Sequence, residues 1–314
     1  MTKKPEIVLV GTGAVGSFYT GKLAQAGASV SFVCRSDFEE VQKNGVFIKS
    51  VLGDYSFRPK EVVRAISDYS GTPDYIIVAT KVLPEINVPS LIAEKVDKNT
   101  TIVLLQNGIN IEPPIMSAFP DNEIISGLAF ICVSRESFGC IDHQDYGRLV
   151  LGTYPTGKSP RAEELAALFN SVDVKCETNE DIITARWKKL VWNAPFNPMS
   201  VLAGGATTRE MMNSPETLKL VQNVMKEVLA LAEKTGNPID STFIDAMIED
   251  TSKMTPYKTS MLLDYEGKRA MEVEAILGNA VRLAAEKKLP VPHLESLYGL
   301  LTLIDRKNIE NIAD

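Results

Sequence analysis

The stretch Gly11-Thr12-Gly13-Ala14-Val15-Gly16 constrains this chain more than any other. It follows the apolar run EIVLV at 6–10 and opens a helical pattern over 14–27. In a strand–turn–helix of this kind Gly11 permits the tight turn, and Gly13 lets the backbone approach a pyrophosphate. Gly16 lets the helix pack on the strand. The helix N-terminus then offers unpaired N–H groups and the positive end of its dipole to phosphate oxygens. All six residues, Thr12, Ala14 and Val15 included, are therefore assigned to a dinucleotide. The alternatives are a purely structural turn and a different nucleotide.

The pattern after the turn sets the fold class. SVSFVC at 29–34, YIIVAT at 75–80 and TIVLL at 101–105 are continuous apolar runs, as expected of parallel strands covered on both faces. Helical segments near 36–44 and 84–96 separate them. Residues 45–63 read as a short strand or hairpin insertion. Two further strands, 124–133 and 147–152, are joined by a polar connector around His143, and a helix at 160–170 and a strand at 172–176 close the domain. The alternation predicts an α/β fold, an N-terminal Rossmann-type doubly wound sheet over 1–180. Beyond that, strand signals nearly vanish. Helical patterns cover 181–194, 215–235, 239–250 and 269–287, which predicts an all-helical C-terminal domain over 181–314.

Charge and cysteine usage narrow the function classes. A net charge of −7 argues against a general nucleic-acid or acidic-membrane binder. Four cysteines, at 34, 132, 140 and 176, form no CxxC pair, and the two histidines are His143 and His293. A zinc site or disulfide framework is not expected, and reduced thiols fit a cytoplasmic protein. The apolar run within MTKKPEIVLVGTG is too short for a signal-peptide core. No apolar stretch approaches the roughly 20 residues that span a bilayer.

The second strand ends at Cys34-Arg35-Ser36. An NAD site usually places an acidic residue there, whereas the Arg35 guanidinium pairs with a 2′-phosphate, with Ser36 as a further donor. NADP (as NADPH) is therefore the expected cofactor. Asp37 nearby is a counter-argument, and a solvated arginine is the alternative reading. Lys81 and Asn107-Gly108 follow two other strands, on the rim where such sheets bind ligands. A surface lysine and an ordinary turn are their alternatives.

ARWKKLVWNAPFNP at 185–198 puts Lys188, Lys189, Asn193 and Asn197 in an otherwise apolar segment. Lys189 and Asn193 are four apart and share a helix face. Asn197-Pro198 reads locally as the N-cap and first turn of a new helix. Lys188 fits a solvated lysine. Farther on, Ser260 precedes MLLD. Glu272 lies on the helix beginning AMEVEAILG, roughly in line with Ile276 and Asn279, while Glu274 points nearly opposite.

Taken together, GTGAVGS, ATK at 79–81, QNG at 106–108, WKKLVWNAPFNPMSVL at 187–202, SMLLD at 260–264 and EVEAILG at 272–278 resemble the ketopantoate reductase (2-dehydropantoate 2-reductase) family over almost the whole chain. The resemblance implies NADPH-dependent reduction of 2-dehydropantoate to pantoate in pantothenate synthesis. It implies Lys189 as general acid and Glu272 as the carboxylate that positions substrate. Asn193 and Asn197 would hold substrate hydroxyls and Ser260 the substrate carboxylate. Asn107 and Lys81 would lie near the nicotinamide ribose and the reacting carbon. Two positions depart from the family pattern, Gln106 where histidine is frequent and Pro84 where a polar residue is common. The chemistry agrees with the carry-over, since an ammonium stabilises and protonates the alkoxide that hydride transfer creates. The active site is expected in a cleft between the domains that closes over its ligands. A homodimer through the helical domain is compatible with the sequence. The rival readings are a reductase of another 2-keto acid and a non-catalytic NADP-binding regulator.

Overall fold

The computed structural model describes residues 4–310, so Met1–Lys3 of the N-terminal stretch and the last four residues of the predicted helical domain lie outside it. The chain divides into two compact units. The first comprises the chain up to Lys81, Ile86–Gln106 and Ile111–Ile182. The second comprises Val82–Glu85, Asn107–Asn110 and the chain from Ile183.

Among the described residues the first unit carries a ten-stranded sheet. Its strands are β1 (Glu6–Val10), β2 (Ser29–Val33), β3 (Val46–Ser50), β4 (Tyr55–Phe57), β5 (Val62–Val63), β6 (Tyr75–Val78), β7 (Thr101–Leu104), β8 (Ile124–Ser137), β9 (Cys140–Thr153) and β10 (Cys176–Thr178). The order is β4-β3-β9-β8-β7-β6-β1-β2-β5, with β10 alongside β9. From β5 to β8 every pairing is parallel. The chain leaves β1 first toward β2 and later toward β6, so the strand order reverses at the end of β1, where the glycine turn lies. The unit's helices are α1 (Ala14–Gln25), α2 (Phe38–Asn44), α3 (Val88–Ile92), α4 (Pro113–Ala118) and α5 (Pro160–Asn170).

Several expectations need correction here. The polar segment around His143 is not a connector. β8 and β9 form one long hairpin, turning at 138–139 and paired almost throughout, with three register shifts. His143 lies inside β9, buried, bonded to Ser50 Oγ at 2.8 Å and packed on Phe18. Period-two alternation was masked by the register shifts and by the polar residues of the half-exposed hairpin. The helix expected over 84–96 shrinks to α3 and a 3₁₀ turn, since Pro84 and Pro89 restrict where it can begin. The strand expected at 172–176 starts at Cys176, after Asp173 adopts a left-handed conformation (φ 60°).

The second unit is helical throughout its described residues: the greater part of α6 (Ile182–Leu202), then α7 (Thr208–Asn213), α8 (Pro215–Lys234), α9 (Thr242–Lys253), α10 (Ser260–Glu266), α11 (Asn279–Glu286) and α12 (Pro292–Glu310). The helix expected to stop at 194 continues to Leu202 through Pro195 and Pro198. Asn197 is therefore interior to α6 and not an N-cap. An internal proline costs about 3 kcal/mol, but Ala194, Phe196, Met199 and Val201 are all buried, and that packing offsets the local signal. The pattern at 269–287 is also not one helix. A π-helical turn, Glu274–Gly278, precedes α11, and Glu272 lies just ahead of it. The α12 pattern was not foreseen.

Each unit has its own apolar core. One is built around β1, β6, β7, α1 and α5, the other around α6, α8, α11 and α12. No helix of the described residues is long and apolar enough to cross a membrane.

Candidate active site

The glycine turn meets the requirements for a phosphate cradle. Gly11 has φ +101°, and a Cβ there would stand 2.4 Å from the Thr80 amide nitrogen. A Cβ on Gly16 would stand 2.5 Å from the Gly11 carbonyl oxygen. Gly13 differs. It is extended (φ −73°, ψ −175°), and a Cβ added to it would meet nothing within 4 Å. Protein packing does not require glycine there, whereas close approach of a ligand does. Gly13 caps α1 without a side-chain hydrogen bond, and the first turn carries no acidic residue, so its N–H groups and dipole remain available to an anion. These residues fit a dinucleotide pyrophosphate.

Asp37, the counter-argument to a 2′-phosphate, is buried, and its Oδ1 accepts a hydrogen bond from Thr12 Oγ1 at 3.0 Å. It thus braces the turn. Arg35 and Ser36 are exposed at the end of β2, and Arg35 forms no ion pair with another described residue. Gln106 is buried, and its Nε2 donates to the Thr80 carbonyl oxygen at 2.9 Å, tying the ends of β6 and β7 together. Lys81 is half-buried and directly precedes Val82.

The second unit assembles a chain of polar contacts around Lys189. Its Nζ donates to Asn107 Oδ1 at 2.8 Å. Asn107 Nδ2 in turn reaches Glu272 Oε2 at 3.4 Å, and Glu272 Oε1 accepts from the Val82 N–H at 3.0 Å. The turn carrying Asn107 is fixed through its backbone. Arg186 Nη1 donates to the Gly108 carbonyl at 2.9 Å, and Asn279 Nδ2 donates to the Ile109 carbonyl at 2.7 Å. Gly108 has φ +97°, and a Cβ on it would lie 2.4 Å from the Ala275 carbonyl oxygen. Burial pushes the Lys189 ammonium down to about 7, with the Arg186 charge acting in the same direction and Glu272 opposing.

Lys189, Asn193, Arg186, Leu190 and Gly108 line one small pocket. Asn193 and Asn197 are both buried, and neither side-chain amide is paired with another described residue. The amide atoms are not among the fully buried polar atoms left without a partner, so they stay accessible to a ligand. At the end of α6, Ser200 Oγ lies 2.7 Å from Thr259 Oγ1, the cap of α10. Ser260 is the next residue, exposed at the first position of that helix.

The remaining polar candidates have structural partners. Glu274 accepts from Tyr298 Oη at 2.7 Å and pairs with Arg282 at 2.6 Å. Lys188 is exposed above the Phe243 ring. His293 pairs with Glu227 at the start of α12. The four cysteines are free thiols. Among the described residues no cluster of His, Cys, Asp and Glu could hold a metal ion. Arg186 was missed in the sequence. Its signal was there: 186, 189, 193 and 197 follow the three-four-four spacing of a single helix face.

Two family models match, "Ketopantoate reductase PanE/ApbA" over residues 7–156 and "Ketopantoate reductase PanE/ApbA C terminal" over 181–305. A 2-dehydropantoate 2-reductase from Nostoc sp. is 38% identical, over 96% of this chain and 95% of its own. The crystal structure of 2-dehydropantoate 2-reductase from Methylococcus capsulatus is 46% identical with a TM-score of 0.91, covering 96% of this chain and 97% of that one. Its counterpart from Geobacter metallireducens is 34% identical with a TM-score of 0.89, covering 95% and 99%. With both models matched across most of its length and the Lys189–Asn107–Glu272 chain in place, this protein belongs to the ketopantoate reductase family.

Proposed function

We propose that the protein reduces the ketone of 2-dehydropantoate to the hydroxyl of pantoate, with Lys189 as the general acid and NADPH as the reductant. The observation that carries the assignment of roles is the Lys189–Asn107–Glu272 chain, in which a lysine pushed to about 7 is held by a neutral amide. A nicotinamide dinucleotide bound at the glycine turn would supply the hydride. Lys189 meets the negative charge that develops on the ketone oxygen and transfers its proton there, leaving a neutral amine to be reprotonated from solvent. A lysine poised near neutral pH both holds a proton and releases it readily. Asn107 holds the Nζ in place without neutralising it. Glu272 orients Asn107 and faces the substrate hydroxyl. Asn193 and Asn197 offer their side-chain amides to the substrate's hydroxyl oxygens, and Ser260 offers a hydroxyl to its carboxylate without adding a negative charge beside it.

In this reading the first unit binds the cofactor and the second holds the catalytic residues. Arg35, with Ser36, selects the 2′-phosphate, and Lys81 lies near the nicotinamide ribose. A small 2-keto acid is the partner this chemistry requires, and a homodimer is compatible with it and is decided by sedimentation. The test is oxidation of NADPH on adding 2-dehydropantoate, run beside NADH, a panel of other 2-keto acids, and Lys189→Ala. The expected result is turnover with NADPH, lower by about a hundred- to ten-thousand-fold in the variant. Preference for another keto acid would replace the substrate. Tight NADPH binding with no turnover on any keto acid would favour a regulator.

A further inference from the structure

Arg186 is almost fully buried, at 4% exposure, an expensive place for a permanent cation. It stands one helical turn before Lys189 on α6 and lines the same small pocket. Its guanidinium holds the Gly108 carbonyl in a turn that only glycine can adopt, and that turn presents Asn107, the acceptor for Lys189. We propose that Arg186 is a positioning residue for Lys189: it pins the Asn107–Gly108 turn against α6 and keeps a fixed positive charge beside the lysine. The turn aims the ammonium and the charge readies it to give up its proton. The inference rests on Lys189 being the acid of the proposed reaction.

The charged groups around Lys189 can be named. Arg186 faces it from its own helix, and Glu272 faces it from the segment ahead of the π-helical turn. Asn107 is neutral, and Lys188 is turned out toward Phe243. A guanidinium stays protonated at any working pH, so of two neighbouring cations the lysine is the one that yields. Glu272 pulls the other way, and both it and Lys189 bond to Asn107. Burial acts on Lys189 whatever occupies position 186, so only a change of charge there separates the two effects.

The experiment is competitive acetylation of the apoenzyme with acetic anhydride across pH, read at Lys189 by peptide mass spectrometry. Arg186→Gln keeps a donor for Gly108 and removes the charge, whereas Arg186→Lys keeps the charge and loses the planar fork. In the wild type the labelling midpoint should fall near 7. It should rise by about one pH unit in Arg186→Gln and stay in place in Arg186→Lys. The basic limb of kcat/KM should move by the same amount. An Arg186→Gln midpoint equal to the wild type overturns the inference. If the Gln variant does not fold, Arg186→Met removes the charge in its place and is read the same way: a midpoint raised by about one pH unit supports the charge, and one equal to the wild type overturns it. Labelling needs neither cofactor nor substrate. Failure of the wild type to reduce 2-dehydropantoate therefore counts against the proposed function, and an unmoved limb in an active Arg186→Gln counts against this inference.

Discussion

Two glycines of one turn serve opposite purposes. A methyl group at Gly16 would press on the Gly11 carbonyl and on Leu9, whereas one at Gly13 would enter open space. Gly16→Ala is expected to destabilise the protein by about 1–3 kcal/mol in urea unfolding. Gly13→Ala should leave stability within about 0.5 kcal/mol yet weaken NADPH binding by about tenfold or more, measured by fluorescence titration. Loss of stability without loss of binding at Gly13 would contradict the cradle. Lys189 gives a second prediction. Its folded pKa is lowered, so its protonated fraction is lost as pH rises through about 7, well before an exposed lysine would titrate. As the acid in reduction it makes kcat/KM fall above that point, and a profile flat to pH 9 would remove it from the role. At this scale the sequence revealed the glycines and the Lys189–Asn193 pair by spacing alone. Arg186 shares that spacing and was passed over, and spacing does not say that it is buried: that follows from its partner, Gly108, 78 positions away.

At the scale of elements, local punctuation proved weaker than burial. Asn197-Pro198 has the chemistry of a helix start, yet α6 runs through it because the surrounding residues are enclosed by α8, α11 and α12. The result is one helix that carries Lys189, Asn193 and Asn197 on a shared face, which two helices would have set at an angle. The same limit applied to 269–287, where periodicity suggested one α-helix and the structure has a π-helical turn, a feature found often at functional sites. That turn separates two nearby glutamates. Glu272 serves Val82 and Asn107, while Glu274 serves Tyr298 and Arg282. Glu272→Gln should lower kcat by about 10- to 100-fold. It should also shift the basic limb to lower pH, since the Glu272 charge raises the Lys189 pKa. Glu274→Gln should leave both unchanged and alter stability by no more than about 1 kcal/mol. Equal losses in the two variants would mean that the turn, and not the carboxylate, is what matters.

At the scale of the whole molecule, the two apolar cores share no residue, so each unit carries its own packing energy. The parallel strands were legible because their runs are short, apolar and separated by helices, whereas their order was not, and the hairpin of β8 and β9 was hidden by its half-exposed face. Ligand binding should therefore act unevenly. A cofactor held by the glycine turn and Arg35, as proposed, would contact the first unit and stabilise it by about 2.7 kcal/mol at a hundredfold excess over Kd. Hydrogen exchange with and without NADPH should show that protection concentrated in β1, β2 and α1. Arg35 is exposed, so Arg35→Ala should leave the ligand-free protein as stable as before. If it pairs with the 2′-phosphate, the variant should bind NADPH about 10- to 100-fold more weakly and lose most of the NADPH-induced rise in Tm, with the NADH effect unchanged. Equal stabilisation of the wild type by the two dinucleotides would make Arg35 a solvated arginine and leave the cofactor's 2′ position unread by this protein.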